Sequence, residues 1–537
     1  MRSLPAVMAA VFALASPLSA QSTSSKPAPI QVETGLVQGI AEQGLTVYRG
    51  IPFAAPPIGE GRWRPPAPVA NWKGVREAYK FAPGCMQETR WASTVGKPDL
   101  PFSEDCLYLN VWSPAQSPKE RLPVMVWIYG GGFVSGFTSL PLYSGENLAR
   151  KGVVVVSIAY RVGPLGFLAH PGLSSESGGH GSGNYGLLDQ IAGLGWVKRN
   201  IAAFGGDPSR VTIFGESAGG ISVSMLAASP LAKGLFQGVI CESGGSFAPA
   251  KSDDEGGENV LQLSAAENRG VAFLNGLGVQ TIVEARKLSA ERLSAAGGGA
   301  LDRFWPVMDG YVIAGDQYKL YQAGKYNDTP ALIGTNSNEG AIWVHSTTAE
   351  AYTAYLKEMF GPFADRILAA YPADSEGQAL QSQRDAWRET AFAWATWAWA
   401  RLQSQTGKGQ VVVYYFNHRP PYPNTPEYQT EGASHGDEIQ YVFGHPESRA
   451  LPWTLNDKTL SDAISSYWVN FAKTGDPNGS GLPQWPAFSG NHPLAMHFGD
   501  TPQADAYPNL EKLELWEKYF AWRRGETTLP APSGDGQ

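Results

Sequence analysis

The sequence predicts an α/β fold, with a mostly parallel central sheet flanked by helices on both faces. Two observations carry this. Runs of apolar and β-branched residues at 122–129, 153–160, 211–214, 331–334 and 411–416 have the length of strands and no polar alternation. Such runs fit strands buried on both faces of a parallel sheet. They alternate with stretches of helical periodicity, the order in which a covered parallel sheet is built.

In chain order, residues 32–50 alternate around glycines and predict a hairpin. Two segments at 49–59 and 62–68 are too rich in proline for regular elements. A strand enters at 103–112. The strand at 122–129 runs into Gly130, Gly131, Gly132 and Phe133, and backbone without side chains can approach a ligand closely. A helix over 187–204 places Leu187, Ile191, Leu194, Val197, Ile201 and Phe204 on one face. The strand at 211–214 is followed by a helix over 221–228, and another strand follows around Val239. Residues 250–300 hold acidic and glycine-rich runs with two or three modest helices, an excursion from the sheet. Residues 350–405 are helical and crowd Trp387, Phe392, Trp394, Trp397 and Trp399 together. That crowding fits a core helix better than a binding wall. A loop entering a helix spans 430–444, an amphipathic helix spans 461–473, and the tail after 525 reads as disordered. Residues 21–537 are expected to form one domain, with helical excursions near 250–300 and 345–405.

The chain has 537 residues, 43% of them hydrophobic, with 17 tryptophans, which excludes a disordered protein. A net charge of −8 argues against nucleic acid as partner, since phosphate binding needs a basic patch. Arg2, ten apolar residues at 6–15 and small residues ending at Ala20 fit a cleaved export signal over residues 1–20. Ten apolar residues are too few to span a membrane, so no stable anchor is expected. The destination implied is secreted or periplasmic, where a disulfide is permitted. Cys85 and Cys106 lie in loop-like sequence and are paired in this reading; Cys241, inside a buried strand, is left as a free thiol. No metal-binding motif appears, and neither a metal nor another cofactor is expected.

The chemistry concentrates at Gly215-Glu216-Ser217-Ala218-Gly219, a G-x-S-x-G pentapeptide between a strand and a helix. That context makes it a nucleophile elbow: a sharp turn lifts the serine above the sheet, and flanking glycines let neighbouring elements close in. A serine hydroxyl needs a base within hydrogen-bond reach. Among eight histidines, His435 stands out because Gly432 and Gly436 flank it in a loop after a strand, with His418 as the rival. Beside the elbow, Glu216 is expected to face the pocket and favour a cationic His435.

Taken together, Arg49 to Pro57, Glu104 to Asn110, Tyr129 to Phe133, Asn184 to Gln190, Phe204 to Pro208, Phe214 to Gly220, Asn336 to Gly340 and His435 to Gly444 resemble the type-B carboxylesterases. This is the α/β-hydrolase branch that includes cholinesterases and bacterial para-nitrobenzyl esterases. The resemblance covers residues 30 to 520 or so. It implies an α/β-hydrolase fold whose helical insertions form a gorge, and an ester hydrolase with a small-molecule ester as partner. It places the nucleophile at Ser217, the acid at Glu339 and the base at His435, in the chain order such folds use. It places the oxyanion donors on the N–H groups of Gly131, Gly132 and Ala218, and a second buried serine near the base at Ser243. It also implies the Cys85–Cys106 bridge and, beside it, an ion pair between Arg49 and Glu104. The loop between the two cysteines, which contains Trp91, is shorter than in animal cholinesterases, and the other disulfides of animal members are absent. For the acid, Asp309 and Asp437 are the rivals; a turn role explains Asp309 better. Competing functions are a specialised feruloyl or mycotoxin esterase and a non-catalytic adhesion protein. The latter typically lacks the nucleophile that Ser217 supplies. The sequence leaves the natural substrate and the oligomeric state open.

Overall fold

A computed structural model of the chain describes residues 26–88, 100–251, 259–297, 304–423 and 432–528. The expected export signal, Trp91 and the end of the tail lie outside the described residues. The fold is of the α/β-hydrolase type, organised on an eleven-stranded sheet. Its strands are β1 (Ile40–Glu42), β2 (Leu45–Pro52), β3 (Tyr108–Ser113), β4 (Leu122–Ile128), β5 (Val154–Ile158), β6 (Gly206–Glu216), β7 (Gly238–Glu242), β8 (Ala331–Asn336), β9 (Val411–Phe416), β10 (Leu494–Phe498) and β11 (Pro502–Ala506). Their spatial order is β11-β10-β9-β8-β7-β6-β4-β5-β3-β2-β1. Strands β5, β4, β6, β7, β8, β9 and β10 run parallel, and both edges are antiparallel. The parallel strands are the apolar runs of the sequence, and β4, β5, β7 and β8 are buried along almost all of their length.

Both faces of the sheet are covered. Helix α1 (Tyr185–Asn200) and helix α2 (Ala218–Ala228) pack against β6. On β7 the alternation of side chains is direct: Cys241 Sγ meets the Gly220 carbonyl of α2 at 3.3 Å, whereas the next residue, Glu242, accepts 2.8 Å from Trp468 Nε1. Trp468 belongs to the long helix Leu455–Thr474, which therefore lies on the other face.

Several boundaries differ from the sequence reading. The helix expected over 187–204 is α-helical only to Asn200, then tightens to a 3₁₀ turn over Ile201–Phe204 that ends on left-handed Gly205. The helix expected over 461–473 begins six residues earlier, at Leu455. A capping box made by Thr454 and Asp457 satisfies its first N–H groups. The expected hairpin at 32–50 is two hairpins, Ile30–Val32 with Gly35–Gln38, and β1 with β2.

Cys85 and Cys106 are bridged, and Cys241 is free and buried. The expected ion pair beside the bridge is corrected. The guanidinium of Arg49 forks onto Glu42 (2.8 and 2.6 Å), which lies on the neighbouring strand of the β1–β2 hairpin. Glu104 is taken instead by Arg62 (2.7 and 2.6 Å), whose remaining Nη1 donates to the carbonyls of Arg286 and Leu288. One planar fork satisfies one carboxylate in a bidentate pair, so each arginine is committed to its own partner.

Candidate active site

The carboxyl ends of β4, β6, β7, β8 and β9 lead into the segments that carry Gly131, Ser217, Ser243, Glu339 and His435, all on the edge of the sheet where α/β sites form. At the end of β6, Ser217 takes φ +56° and ψ −127°, a conformation that a β-carbon disfavours. It is held there from both sides. Its N–H donates to the Glu242 carbonyl at 3.0 Å, and its own carbonyl accepts from Ile221 N–H at 2.8 Å. The turn is possible because its neighbours lack side chains. A Cβ on Gly219 would lie 2.0 Å from the Ile128 carbonyl oxygen, and one on Gly130 would lie 2.9 Å from Ser217 Cβ. The end of β4 is thereby pressed against the elbow. Gly131, Gly132 and Phe133 then turn through positive φ values of 106°, 60° and 60°. Ala218 opens α2 immediately after the nucleophile candidate, so its N–H is among the unsatisfied donors of a helix start.

His435 and Glu339 meet although 96 residues separate them: Nδ1 lies 2.6 Å from Glu339 Oε2. Glu339 is fully buried, and its other oxygen, Oε1, accepts from Ser243 Oγ (2.6 Å) and the Asn336 N–H (2.7 Å). The opposite ring nitrogen, Nε2, is turned to the elbow and lies 3.1 Å from Glu216 Oε1, on the residue just before Ser217. The geometry therefore places His435 between Glu339 and Glu216, the residue before Ser217. The rivals are accounted for elsewhere. His418 bridges Asp457 and Asp500 (2.9 and 3.0 Å). Asp309 Oδ1 accepts three N–H groups of its own turn, from Tyr311, Val312 and Ile313. Asp437 is engaged by Ser434 N–H, Tyr422 and Arg449.

Ser243 is fully buried, and its hydroxyl donates to Glu339, the carboxylate that contacts His435. It also repeats the elbow. Strands β6 and β7 both end in Glu with Ser as the next residue, both serines have positive φ (56° and 45°), and Ser243 N–H donates to the Gly334 carbonyl as Ser217 N–H does to that of Glu242. The repeated Glu-Ser-x-Gly at 216–219 and 242–245 was readable in the sequence as a second turn of this kind.

Sequence reasoning missed the carboxyl cluster beneath the site. Burial pushes the Glu216 carboxyl up to about 7; His435 draws it back down, and Glu339 raises it further. Burial likewise pushes Glu242 up to about 8 against the Trp468 hydrogen bond. Glu438, buried and bonded by Asn336 Nδ2, is held well above the usual carboxylate range by burial and by the neighbouring Glu216, Glu242 and Glu339. Desolvation is the common cause, because a charge out of water is costly and the group stays neutral instead.

The tryptophan-rich helix divides. Phe392 and Trp343 face the imidazole with Trp387 packed against both, whereas Trp394 packs on Phe520 (4.1 Å between centroids) and Trp399 on Phe247 and Tyr321. Among the described residues, no group of three or more His, Cys, Asp or Glu side chains could hold a metal ion, and no helix is long and apolar enough to cross a membrane.

Comparison with known proteins shows the family and the fold. The profile of the carboxylesterase family matches residues 26–516. A fumonisin B1 esterase of Sphingopyxis macrogoltabida is 38% identical over 488 residues, covering 89% of this chain and 87% of its own. The para-nitrobenzyl esterase of Bacillus subtilis is 38% identical over 483 residues, covering 86% and 92%. A solved para-nitrobenzyl esterase structure superposes with a TM-score of 0.77 at 34% identity, over 91% of this chain and 99% of that one.

Proposed function

The chain belongs to the carboxylesterase family, serine hydrolases acting on carboxylic esters, and from that premise we propose that it is an exported esterase working through an acyl-enzyme. The single observation that carries the mechanism is the 2.6 Å contact between His435 Nδ1 and a fully buried Glu339, with Nε2 turned to the elbow. In this reading Glu339 fixes the imidazole with its proton on Nδ1, so that Nε2 is the nitrogen that accepts the proton of Ser217. Ser217 Oγ attacks the ester carbonyl, and the oxyanion that forms is met by the N–H groups of Gly131, Gly132 and Ala218. Losing one such donor typically costs about 100-fold or more in rate. The imidazolium then protonates the leaving alcohol. A water molecule, deprotonated by the same His435, releases the acid and restores Ser217.

Export is supported by the charged and apolar pattern of residues 1–20 and by the Cys85–Cys106 bridge, which suits an oxidising compartment. The relative named for fumonisin B1 motivates a second reading, a mycotoxin esterase, which hydrolysis of fumonisin B1 by the purified protein would test. The central test is Ser217→Ala. Hydrolysis of para-nitrophenyl esters is lost with the melting temperature unchanged, and a fluorophosphonate labels the Ser217 peptide of the wild type only. Turnover by the variant close to wild type would overturn the proposal.

A further inference from the structure

The two helices flanking the aromatic cluster are not one regular helix. Between Glu376–Arg388 and Trp394–Thr406 the chain makes a π turn over Glu389–Ala393. A π turn inserts one residue, which rotates the side chains after it by about 100° relative to those before it. Phe392, on the π turn, is thereby turned to the imidazole, while Trp394 and Trp399 serve the core behind. The rings of Phe392 and His435 stack with centroids 4.8 Å apart and only 5° between their planes. Trp343 reaches the same imidazole at 4.8 Å and 55°, and is itself backed by Trp387 at 3.9 Å.

The π turn is also bolted to the loop that carries the acid. Arg388 Nη1 donates to the Ser337 carbonyl at 2.6 Å, two residues before Glu339. Ser337 Oγ accepts from Ala433 N–H at 2.9 Å, two residues before His435. A Cβ on Gly340 would lie 2.5 Å from the Arg384 carbonyl oxygen, so the acid loop sits directly on this helix. Glu389, fully buried, anchors the turn by pairing with Arg388 and accepting from Tyr371 Oη at 2.7 Å.

We propose that the π turn at Glu389–Ala393 positions the catalytic imidazole, with Phe392 as a positioning residue for His435 and Arg388 as the strut that fixes the turn to the acid loop. This rests on the reading of His435 as the base. Glu339 holds the ring at Nδ1, and Phe392 lies flat against its face, where it stops the ring from tipping. Its π face also presents negative potential to the ring, which favours the imidazolium formed as Ser217 loses its proton. The titratable groups facing the imidazole are Glu339 from the acid loop and Glu216 from the elbow. On the imidazole's own loop, Asp437 and Glu438 are engaged with Arg449 and Asn336, and Arg388, just before the π turn, is paired with Glu389 at its start.

The test is Phe392→Leu, which keeps an apolar side chain and removes the ring, with Phe392→Tyr, which keeps the ring. Rates are normalised to active serines by fluorophosphonate titration, and His435→Gln is measured alongside. For Phe392→Leu, kcat falls about two- to thirty-fold, the range of a cation–π contact expressed as a rate. KM changes less than twofold, and the acid limb of kcat/KM moves to lower pH. Phe392→Tyr restores both. Should Phe392→Leu not fold, Phe392→Met carries the same expectations. An unchanged kcat and acid limb, or a loss confined to KM or melting temperature, overturns the proposal. If His435→Gln is inactive while Phe392→Leu is unaltered, the positioning role fails and the triad stands. If His435→Gln turns over like the wild type, the triad fails and this inference with it.

Discussion

Replacing Glu339 by glutamine changes one oxygen to a nitrogen, and the hydrogen bonds around the carboxylate decide the consequence. Oε1 accepts two donors, Ser243 Oγ and the Asn336 N–H, while Oε2 accepts one, from His435 Nδ1. A glutamine has a single acceptor oxygen, which therefore stays with the two donors and turns its NH₂ toward Nδ1. That nitrogen must then accept, the ring proton moves to Nε2, and Ser217 loses its base. Loss of the correct tautomer is expected to cost about 10⁴-fold in kcat, on the order of 5 kcal/mol, with KM little changed. The same network predicts a partial rescue. In the double variant Glu339→Gln/Ser243→Ala only Asn336 N–H holds the glutamine oxygen, so the amide flips at the cost of about one net hydrogen bond fewer, roughly 1 kcal/mol. The double variant should recover about two- to tenfold over Glu339→Gln alone. Steady-state kinetics on para-nitrophenyl acetate, corrected for active serines, read both effects. A Glu339→Gln enzyme within tenfold of wild-type kcat would refute the assignment of the acid.

The cysteines and the buried carboxyls carry two further expectations. Thiol titration of the unfolded, unreduced protein should find one reactive sulfur, that of Cys241, since Cys85 and Cys106 are bridged; three would refute the bridge. Glu242 is pushed up to about 8 in the folded protein, against an ordinary value of 4.5. Its neutral form is thus the one that folding favours: its contribution is full below about 4.5 and is lost as pH rises toward about 8. Glu242→Gln keeps an acceptor for Trp468 Nε1 and removes the titration, so its melting temperature should fall less than that of the wild type between pH 5 and pH 8. An equal fall in both proteins would remove Glu242 from the alkaline loss of stability.

The sequence by itself determined the elbow. Its requirements are local: a strand, a residue forced to positive φ, glycines where other backbone must pass within van der Waals reach, and a helix start. All of these are written within ten consecutive residues, Val211 to Gly220. The parallel strands were legible for a similar reason, since burial on both faces leaves an unbroken apolar run. The helix start at Leu455 was legible too, in the Thr454 and Asp457 capping box, though periodicity alone placed it six residues late. Only the tertiary structure decided which groups meet. Glu339 and His435 are 96 residues apart, and so are Ser243 and Glu339, so their contacts depend on the register of β7, β8 and β9 rather than on any local pattern. Arg49 and Arg62 carry the same chemistry, and hairpin geometry gave one to Glu42 and left Glu104 to the other. Which rings of the tryptophan-rich helix would face the imidazole was hidden because a regular 3.6-residue period does not hold across the π turn at Glu389–Ala393. The raised carboxyls had no sequence signal of their own. Their shift is a desolvation effect, and desolvation exists only once the sheet and its two layers of helices have closed around them.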